Sequence, residues 1–317
     1  MSTATMTAPP APPAAILAEH VIETDRLTKR YGAARGIDDV SLTVLRGEVF
    51  GFLGPNGAGK TTTIRTLLDL LHPTSGSARL FGLDSRRDGL AIRARLGNLP
   101  GEFAFDPRRT GREIVALLAA LRGMHGLGRT AELAERFHAD LDRPVGHLSR
   151  GNRQKIGLIQ ALFHAPELLI LDEPTGGLDP LMQEEFHQLV AEERERGATV
   201  FLSSHDLEEV ERLCDRVAII RDGRLIAIEH VAELTARRFR HATVEFAAPV
   251  DASELRALDG VRDVTVDGRR VRFGVEAAAL DGVVKALARH EILDLELAHP
   301  SLEEIFLTFY TADEQPA

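Results

Sequence analysis

The sequence predicts an α/β fold in which a parallel sheet carries an inserted helical subdomain and is followed by a small C-terminal α+β module. The apolar run 49–53 is typical of a buried strand, and it leads through a glycine-rich loop into a segment with helical spacing. Further buried strands are predicted at 168–171 and 199–202, with a helix over about 181–196 between them. Between about 110 and 158 the apolar residues recur at helical spacing, which indicates a helical insertion in the sheet domain.

The glycine-rich loop matches the pattern G-x-x-x-x-G-K-[ST] at every fixed position and is therefore a P-loop. Its residues are Gly54, Pro55, Asn56, Gly57, Ala58, Gly59, Lys60, Thr61 and Thr62. Glycines let the backbone turn its N–H groups inward, and the helix N-terminus adds a partial positive charge of roughly half a unit. We expect all nine residues to bind the phosphates of a nucleotide, with Lys60 reaching the β- and γ-phosphates and Thr61 holding Mg²⁺. The predicted core is that of a P-loop NTPase.

Composition argues against a nucleic-acid-binding, a disulfide-bonded and a membrane-spanning protein. The 317 residues suffice for two domains, and the net charge of −10 argues against nucleic acid as the main partner. Cys214 is the one cysteine, so an intramolecular disulfide is impossible. No stretch approaches the roughly 20 apolar residues that a membrane span needs. Residues 1–20 are rich in Ala and Pro, which predicts a disordered tail.

Two carboxylates follow the predicted strand 168–171 and complete a Walker B pattern. Asp172 is expected to bind Mg²⁺, directly or through water, and Glu173 to polarise the attacking water. An acidic pair at a strand end is by itself more often a solvated end. Its place about 110 residues after a P-loop favours the catalytic interpretation.

A family resemblance rests on a segment about twenty residues before those carboxylates. Its residues are Leu148-Ser149-Arg150-Gly151-Asn152-Arg153-Gln154, which resemble the signature Leu-Ser-Gly-Gly-Gln of ATP-binding cassette (ABC) proteins. The chain thus looks like the nucleotide-binding subunit of an ABC transporter. Ser149 is a suitable N-cap and Gly151 allows close approach, so this is a second helix N-terminus that can face phosphate. The resemblance implies that Ser149, Gly151 and Asn152 bind nucleotide.

Other landmarks of the family are present in the same order. Tyr31 resembles the aromatic residue that stacks on adenine, and Asp179, in Gly177-Leu178-Asp179-Pro180, resembles the D-loop aspartate at the dimer interface. His205 resembles the switch histidine that contacts the γ-phosphate, so the resemblance implies a catalytic set of Lys60, Glu173 and His205.

One landmark is altered, because the family's usual glutamine is missing from Leu99-Pro100-Gly101-Glu102-Phe103. Glu102 is the nearest candidate for a magnesium-site residue, although a carboxylate cannot donate as an amide does. Alternatively, Gly101 occupies the glutamine's position and offers no side chain.

From about residue 230 the pattern changes to short strands and helices. We predict an ABC ATPase domain over 21–230, with the helical subdomain at about 104–160, and an accessory α+β domain over 231–317. Asp222-Gly223 and Asp267-Gly268 predict hairpin turns, and a capping box at Ser301 predicts a closing helix. This module resembles the C-terminal extension of ATPases from bacterial drug- and antibiotic-resistance exporters.

The resemblance implies an enzyme that hydrolyses ATP with Mg²⁺ at the cytoplasmic face, paired as a homodimer, and drives export through a separate integral-membrane permease. An importer ATPase and a non-transport ABC ATPase are the alternatives, and a generic P-loop GTPase or kinase is disfavoured by the signature segment. The permease would select the substrate, so this chain does not identify it.

Overall fold

A computed structural model describes residues 20–32, 34–103, 105–236 and 240–298 of the chain. The predicted disordered tail and the predicted closing helix at Ser301 lie outside the described residues. Fifteen strands are formed within the described ranges: β1 (His20–Tyr31), β2 (Ala34–Val40), β3 (Thr43–Leu45), β4 (Val49–Leu53), β5 (Ser75–Leu80), β6 (Leu83–Asp84), β7 (Leu96–Leu99), β8 (Leu168–Asp172), β9 (Thr199–Ser204), β10 (Arg216–Arg221), β11 (Arg224–His230), β12 (Arg240–Phe246), β13 (Val261–Asp267), β14 (Arg270–Val275) and β15 (Ile292–Ala298).

The same ranges contain ten α-helices. They are α1 (Lys60–Leu67), α2 (Gly89–Arg95), α3 (Gly111–Leu121), α4 (Thr130–Arg136), α5 (Arg150–Leu162), α6 (Pro180–Glu195), α7 (Leu207–Leu213), α8 (Val231–Ala236), α9 (Ser253–Arg256) and α10 (Leu280–Leu287). No helix of the described part is both long enough and apolar enough to cross a membrane.

The central sheet has six strands in the order β11-β10-β4-β9-β8-β7. Its five strands from β10 to β7 are parallel, and β11 adds an antiparallel edge through the turn Asp222-Gly223. Both turn residues have positive φ, 48° and 80°, which is the geometry of the predicted two-residue hairpin. The predicted parallel core is confirmed.

Apolar side chains cover both faces of this sheet. Along β8, Leu169 and Leu171 join a core that includes the helical insertion, α6 and α7. Leu168 and Ile170 point to the opposite face and pack with α1 and the antiparallel sheet. Because successive strand residues face opposite sides, the continuous apolar run reflects burial on both faces.

A second, antiparallel sheet lies at the N-terminal part of the fold. It has the order β2-β1-β5-β6, with β3 also paired to β1. Its strand β3, at Thr43–Leu45, directly precedes the P-loop strand β4 in the chain.

The helical insertion consists of α3, α4 and α5. Thr110 begins α3 with a capping box that involves Glu113. Three ion pairs connect the insertion to α6: Arg129 contacts the fully buried Glu193 at 2.5 Å, and Arg136 contacts Glu185 at 2.5 Å and Glu192 at 2.6 Å. The insertion is therefore attached to the helix that begins at the predicted D-loop.

The C-terminal strands form a separate four-stranded antiparallel sheet in the order β13-β14-β12-β15. With α9 after β12 and α10 after β14, the module has the β-α-β-β-α-β topology of ferredoxin-like folds. Its core is distinct from the two cores of the ATPase part. The hairpin turn predicted at Asp267-Gly268 lies one residue later, because Asp267 still pairs with Arg270 and Gly268 takes the positive φ of 59°. The proposed boundary near residue 230 stays a prediction.

Candidate nucleotide-binding site

The P-loop joins β4 to α1 and depends on glycine at its two ends. Gly59 caps α1 with a φ of 110°, a conformation that other residues rarely adopt. A Cβ on Gly54 would lie 2.4 Å from the carbonyl oxygen of Ile220 on β10, so no larger residue fits there. These constraints leave the N-terminus of α1 open in front of the loop, as an anion site requires.

Lys60, the first residue of α1, is buried, and its ammonium group has both a hydrogen-bond acceptor and an ion-pair partner. Its Nζ donates to the carbonyl oxygen of Gly54 at 2.6 Å and forms an ion pair with Glu173 Oε1 at 3.1 Å. The lysine therefore bridges the P-loop and the end of β8, two segments that are distant in sequence.

Asp172, the last residue of β8, is 1% exposed, and both of its carboxylate oxygens accept hydrogen bonds. Thr61 Oγ1 donates to Oδ2 at 2.8 Å, and Ser203 Oγ donates to Oδ1 at 2.6 Å. The sequence analysis gave no role to Ser203, although it directly precedes Ser204 and His205 at the end of β9. Charge-assisted hydrogen bonds of this kind orient the carboxylate towards the P-loop threonine.

Glu173 lies between two predicted site residues. Its Oε2 is 2.6 Å from His205 Nδ1, while Oε1 faces Lys60. Its backbone has a φ of 52°, which costs a residue other than glycine roughly 1–2 kcal/mol. The hydrogen bond from Glu173 N to the backbone oxygen of Ser203, 3.2 Å long, holds this conformation. Such strained conformations are common at functional sites.

Tyr31 stands at the end of β1 beside the P-loop and is 47% exposed. Gly36 on β2 makes room for it, because a Cβ there would approach the ring to 2.8 Å. The sequence analysis did not identify Gly36, which carries no motif. A cleft of about 270 Å³ has Tyr31 and the phosphate loop in its wall, and its lining residues are Tyr31, Gly36, Pro55, Asn56, Gly57, Gly59, Lys60, Thr61, Thr62 and Glu173. Ala58 is buried beneath the loop, where its carbonyl oxygen accepts from Gly223 N at 2.9 Å.

The signature segment begins α5, and Ser149 is its N-cap, accepting from Asn152 N at 3.3 Å. Gly151 packs so closely that a Cβ would lie 2.6 Å from the carbonyl oxygen of Gly177. Asp179 caps α6 and accepts from Met182 N at 3.1 Å. Ser149, Gly151, Asn152 and Asp179 do not line the described cleft beside Tyr31.

Gln154 connects the signature helix to the backbone that follows β8. Its Nε2 donates to the carbonyl oxygens of Glu173 at 3.2 Å and Pro174 at 2.7 Å. The sequence analysis quoted Gln154 within the signature segment without giving it a role. The signal that the sequence offered was an amide side chain one turn into the helix that the signature segment begins.

Gly101 faces Asp172, and a Cβ on it would lie 2.9 Å from Asp172 Oδ2. Glu102 is exposed and lines a different cavity of about 610 Å³ together with Phe103, Arg150 and Arg153. The second interpretation of this segment, with Gly101 in the glutamine's position, matches this geometry. A magnesium role for Glu102 stays a prediction.

Two family models match the chain. The model described as ABC transporter matches residues 37–176, and the model described as ATP-binding protein DrrA1-3-like, C-terminal domain, matches residues 236–310.

Curated relatives extend the similarity over most of the chain. The bacitracin transport ATP-binding protein BcrA of Enterococcus faecalis is 31% identical over 92% of this chain and 96% of its own length. The daunorubicin resistance ATP-binding protein DrrA3 of Streptomyces coeruleorubidus is 39% identical over the same shares of the two chains. BcrA of Bacillus licheniformis is 42% identical over 65% of this chain and 68% of its own.

Solved structures resemble the ATPase part. One described as the ATP binding subunit of an ABC transporter has a TM-score of 0.62 and 30% identity, over 68% of this chain and 92% of that chain. A dimeric cassette in a post-hydrolysis state, bound to ADP and Pi, has a TM-score of 0.61 over 66% of this chain and 98% of that chain. At 23% identity the second likeness concerns the fold alone.

Proposed function

The chain belongs to the ATP-binding subunits of ABC transporters, which are ATPases, and from this premise we propose that it powers export of an antibiotic-like compound through a separate membrane permease. Relatives named for bacitracin transport and daunorubicin resistance support this class of cargo. The match of the DrrA-like C-terminal model supports the same subgroup. The subunit would then work at the cytoplasmic face of the membrane, held there by the permease.

The observation that carries the proposal is the contact of Glu173 with both Lys60 and His205. The three side chains meet beside the P-loop, with Glu173 3.1 Å from Lys60 and 2.6 Å from His205. Phosphoryl transfer to water requires little covalent help from the protein but an oriented nucleophile. We assign the orientation of the attacking water to Glu173, and contacts to the transferred phosphate to Lys60 and His205.

The residues present also fit a magnesium ion. Mg²⁺ prefers oxygen ligands and keeps several waters, and Thr61 and Asp172 offer a hydroxyl and a carboxylate oxygen 2.8 Å apart. Gly101 adds no side chain on the side of Asp172, where a Cβ would already lie 2.9 Å from Oδ2. When bound, the ion would neutralise charge on the phosphate oxygens.

We propose that a second copy of the chain completes each nucleotide site. Ser149, Gly151 and Asn152 belong to the family's signature but do not line the cleft that contains Lys60. A chain that carries both half-sites can pair head-to-tail with its own copy about a two-fold axis. Two equivalent ATP sites would then form at the interface, with Asp179 near it.

The permease would contact the groove between the core and the helical insertion. An apolar cavity of about 320 Å³ lies there, and its lining residues are Leu68, Leu70, Arg93, Leu96, Asn98, Pro100, Phe103, Phe105, Leu118, Arg122 and Gln160. Phe103 stacks on Phe105 with ring centroids 5.0 Å apart, and Leu70 is 63% exposed. A short helix with an apolar side fits such a groove better than a polar loop does.

Glu173→Gln tests the catalytic and dimer proposals together. The variant should bind ATP normally and hydrolyse it about 10²–10⁴-fold more slowly, because a general base or water-orienting residue contributes that much. Its size by light scattering should double on addition of MgATP. Glu208→Gln, an exposed glutamate on α7, is the matched control and should behave as the parent does. Parental turnover in Glu173→Gln would refute the role of Glu173, and an ATP-bound monomer at high concentration would refute homodimerisation.

Co-purification tests the docking groove. Phe103→Ala should reduce recovery of the membrane permease in detergent, because it removes an aromatic wall of the groove. Glu102→Ala, at the neighbouring exposed position, should leave recovery unchanged. Equal recovery for both variants would place the permease contact elsewhere.

A further inference from the structure

Glu209 is a buried carboxyl group that the proposed mechanism does not use. It lies in the first turn of α7 and is 4% exposed, and neither carboxyl oxygen has a hydrogen-bond partner within 3.5 Å among the described residues. Buried polar groups without partners are uncommon and costly, so each requires a physical reason.

The surroundings of Glu209 belong to the two loops that carry the proposed catalytic residues. Two hydroxyls act on Glu209, those of Thr175, two residues after Glu173, and of Ser204, directly before His205. The Ser204 hydroxyl is already engaged, since it accepts from Asp206 N at 2.9 Å. Glu209 therefore lies where the loop after β8 meets the loop after β9.

The charges that face Glu209 are negative. Asp206 from the start of α7 and Glu173 from the end of β8 both disfavour a carboxylate there, and the buried thiol of Cys214 faces it from the other end of α7. Burial acts most strongly, and it raises the pKa of Glu209 to about 7, against the weaker opposing effect of the Ser204 and Thr175 hydroxyls. The burial of Cys214, with a smaller contribution from Glu209, raises the pKa of that thiol as well.

We propose that Glu209 is a positioning residue that works in its neutral form, holding the Thr175 loop and the Ser204 loop together so that Glu173 and His205 stay in contact. A neutral carboxyl group can be buried without hydrogen-bond partners at far lower cost than a carboxylate, so the two loops can pack against it. An ionised Glu209 would instead place a third negative charge beside Glu173 and Asp206 without a cation to balance it. That charge would push the Glu173 segment away from its contact with His205.

This inference rests on the proposed water-orienting role of Glu173, and it predicts a distinct kinetic signature. Glu209 does not line the cleft that contains the P-loop residues, so the KM for ATP should not change as Glu209 ionises. The kcat should fall about tenfold between pH 6 and pH 8 in the parent, because one ionisation with a midpoint near 7 controls it.

The experiment measures kcat and KM for ATP from pH 6 to pH 9 in the full chain. In Glu209→Gln the side chain is neutral at every pH, so this decline in kcat should disappear while KM stays parental. Glu208→Gln, its exposed neighbour, should keep the decline. A parental decline in folded Glu209→Gln would overturn the proposal, and so would loss of activity at every pH.

A second variant covers a failure of Glu209→Gln to fold. Glu209→Asp keeps a titratable group but shortens it by one methylene, so the midpoint of the decline should shift while KM stays parental. An unchanged midpoint in this variant would assign the titration to another residue. A parent without ATPase activity would refute the hydrolytic function itself, whereas an active parent whose decline is independent of residue 209 would refute the role of Glu209 alone.

Discussion

Two buried carboxylates of this chain, Asp172 and Glu209, have nearly the same burial but opposite surroundings. Asp172 is 1% exposed and accepts hydrogen bonds from Thr61 and Ser203 on its two oxygens, whereas Glu209 is 4% exposed and accepts none. Burial alone therefore does not decide the chemistry of a carboxyl group. The hydroxyl donors satisfy both oxygens of Asp172, whereas burial and the carboxylates around Glu209 raise the pKa of that group.

The comparison also separates two ways of connecting distant segments. The Asp172 region joins the P-loop, β8 and β9 through short hydrogen bonds to charged oxygen. The Glu209 region joins the next turns of the same two loops around a carboxyl group whose pKa burial raises to about 7. Replacement of the carboxyl group by a neutral amide should therefore be harmful at Asp172 and tolerated at Glu209.

The largest effect is expected for Asp172→Asn. The amide keeps the shape but removes the charge and one of the two acceptors that Thr61 and Ser203 use. We expect ATPase activity to fall by at least about 100-fold, as for loss of a preorganised electrostatic contact, with a higher Mg²⁺ requirement for the residual rate. Activity measured against Mg²⁺ concentration checks this. A variant with parental activity and Mg²⁺ dependence would remove the distinction between the two carboxylates.

The next effect is a gain in stability, and it is expected for Glu209→Gln. The pKa of Glu209 rises from its usual 4.5 to about 7 on folding, so the folded state holds the proton more tightly. This contribution to stability is complete below pH 4.5 and is lost as the pH rises through 7. Glu209→Gln has no such loss. The free energy of unfolding of the variant minus that of the parent should therefore be larger at pH 8 than at pH 4.5, by up to about 3 kcal/mol.

Urea unfolding of parent and variant at both pH values measures this difference. Glu208→Gln on the exposed side of α7 is the control, and we expect it to show no such pH dependence. If the free energy of unfolding changed equally with pH in the parent and in Glu209→Gln, the Glu209 carboxyl would be exposed to solvent and its pKa would not be raised.

A smaller effect is expected for Gly101→Ala, which tests the space beside Asp172. The added methyl would lie 2.9 Å from Asp172 Oδ2, so the carboxylate must shift by a few tenths of an ångström. We expect ATPase activity to fall about tenfold with little loss of stability, since small displacements at a reacting centre are costly. Gly126→Ala is the matched control, because nothing lies within 4 Å of a Cβ there. Equal activity in both variants would mean that Gly101 does not limit the metal site.

The smallest effect is expected for Glu102→Ala. Glu102 is an exposed carboxylate that forms no hydrogen bond with Asp172, and exposed charges act weakly through water. Steady-state hydrolysis should fall by less than about twofold. A loss as complete as that of Asp172→Asn would instead make Glu102 a residue of the metal site, as one interpretation of the sequence holds.

The sequence alone determined the features that depend on local chemistry. The P-loop follows from glycine spacing between a strand and a helix, and the turn at Asp222-Gly223 follows from two residues that tolerate positive φ. The strand of Asp172 follows from a run of four apolar residues that only burial on two faces explains. The order of motifs along the chain, with the signature segment at Ser149, was enough to indicate the family.

The tertiary structure decided everything that depends on segments brought together by folding. Ser203 reaches Asp172, Gly36 makes room for Tyr31, and Gly101 rather than Glu102 faces the carboxylate, because sheet order and register place them there. The hairpin turn near Asp267 lies one residue later than the sequence predicts, because strand pairing sets where a hairpin ends. The raised pKa of Glu209 depends on burial and on the charges of Asp206 and Glu173. No local pattern contains that information, because desolvation and electrostatic interaction act through space between residues that are far apart in sequence.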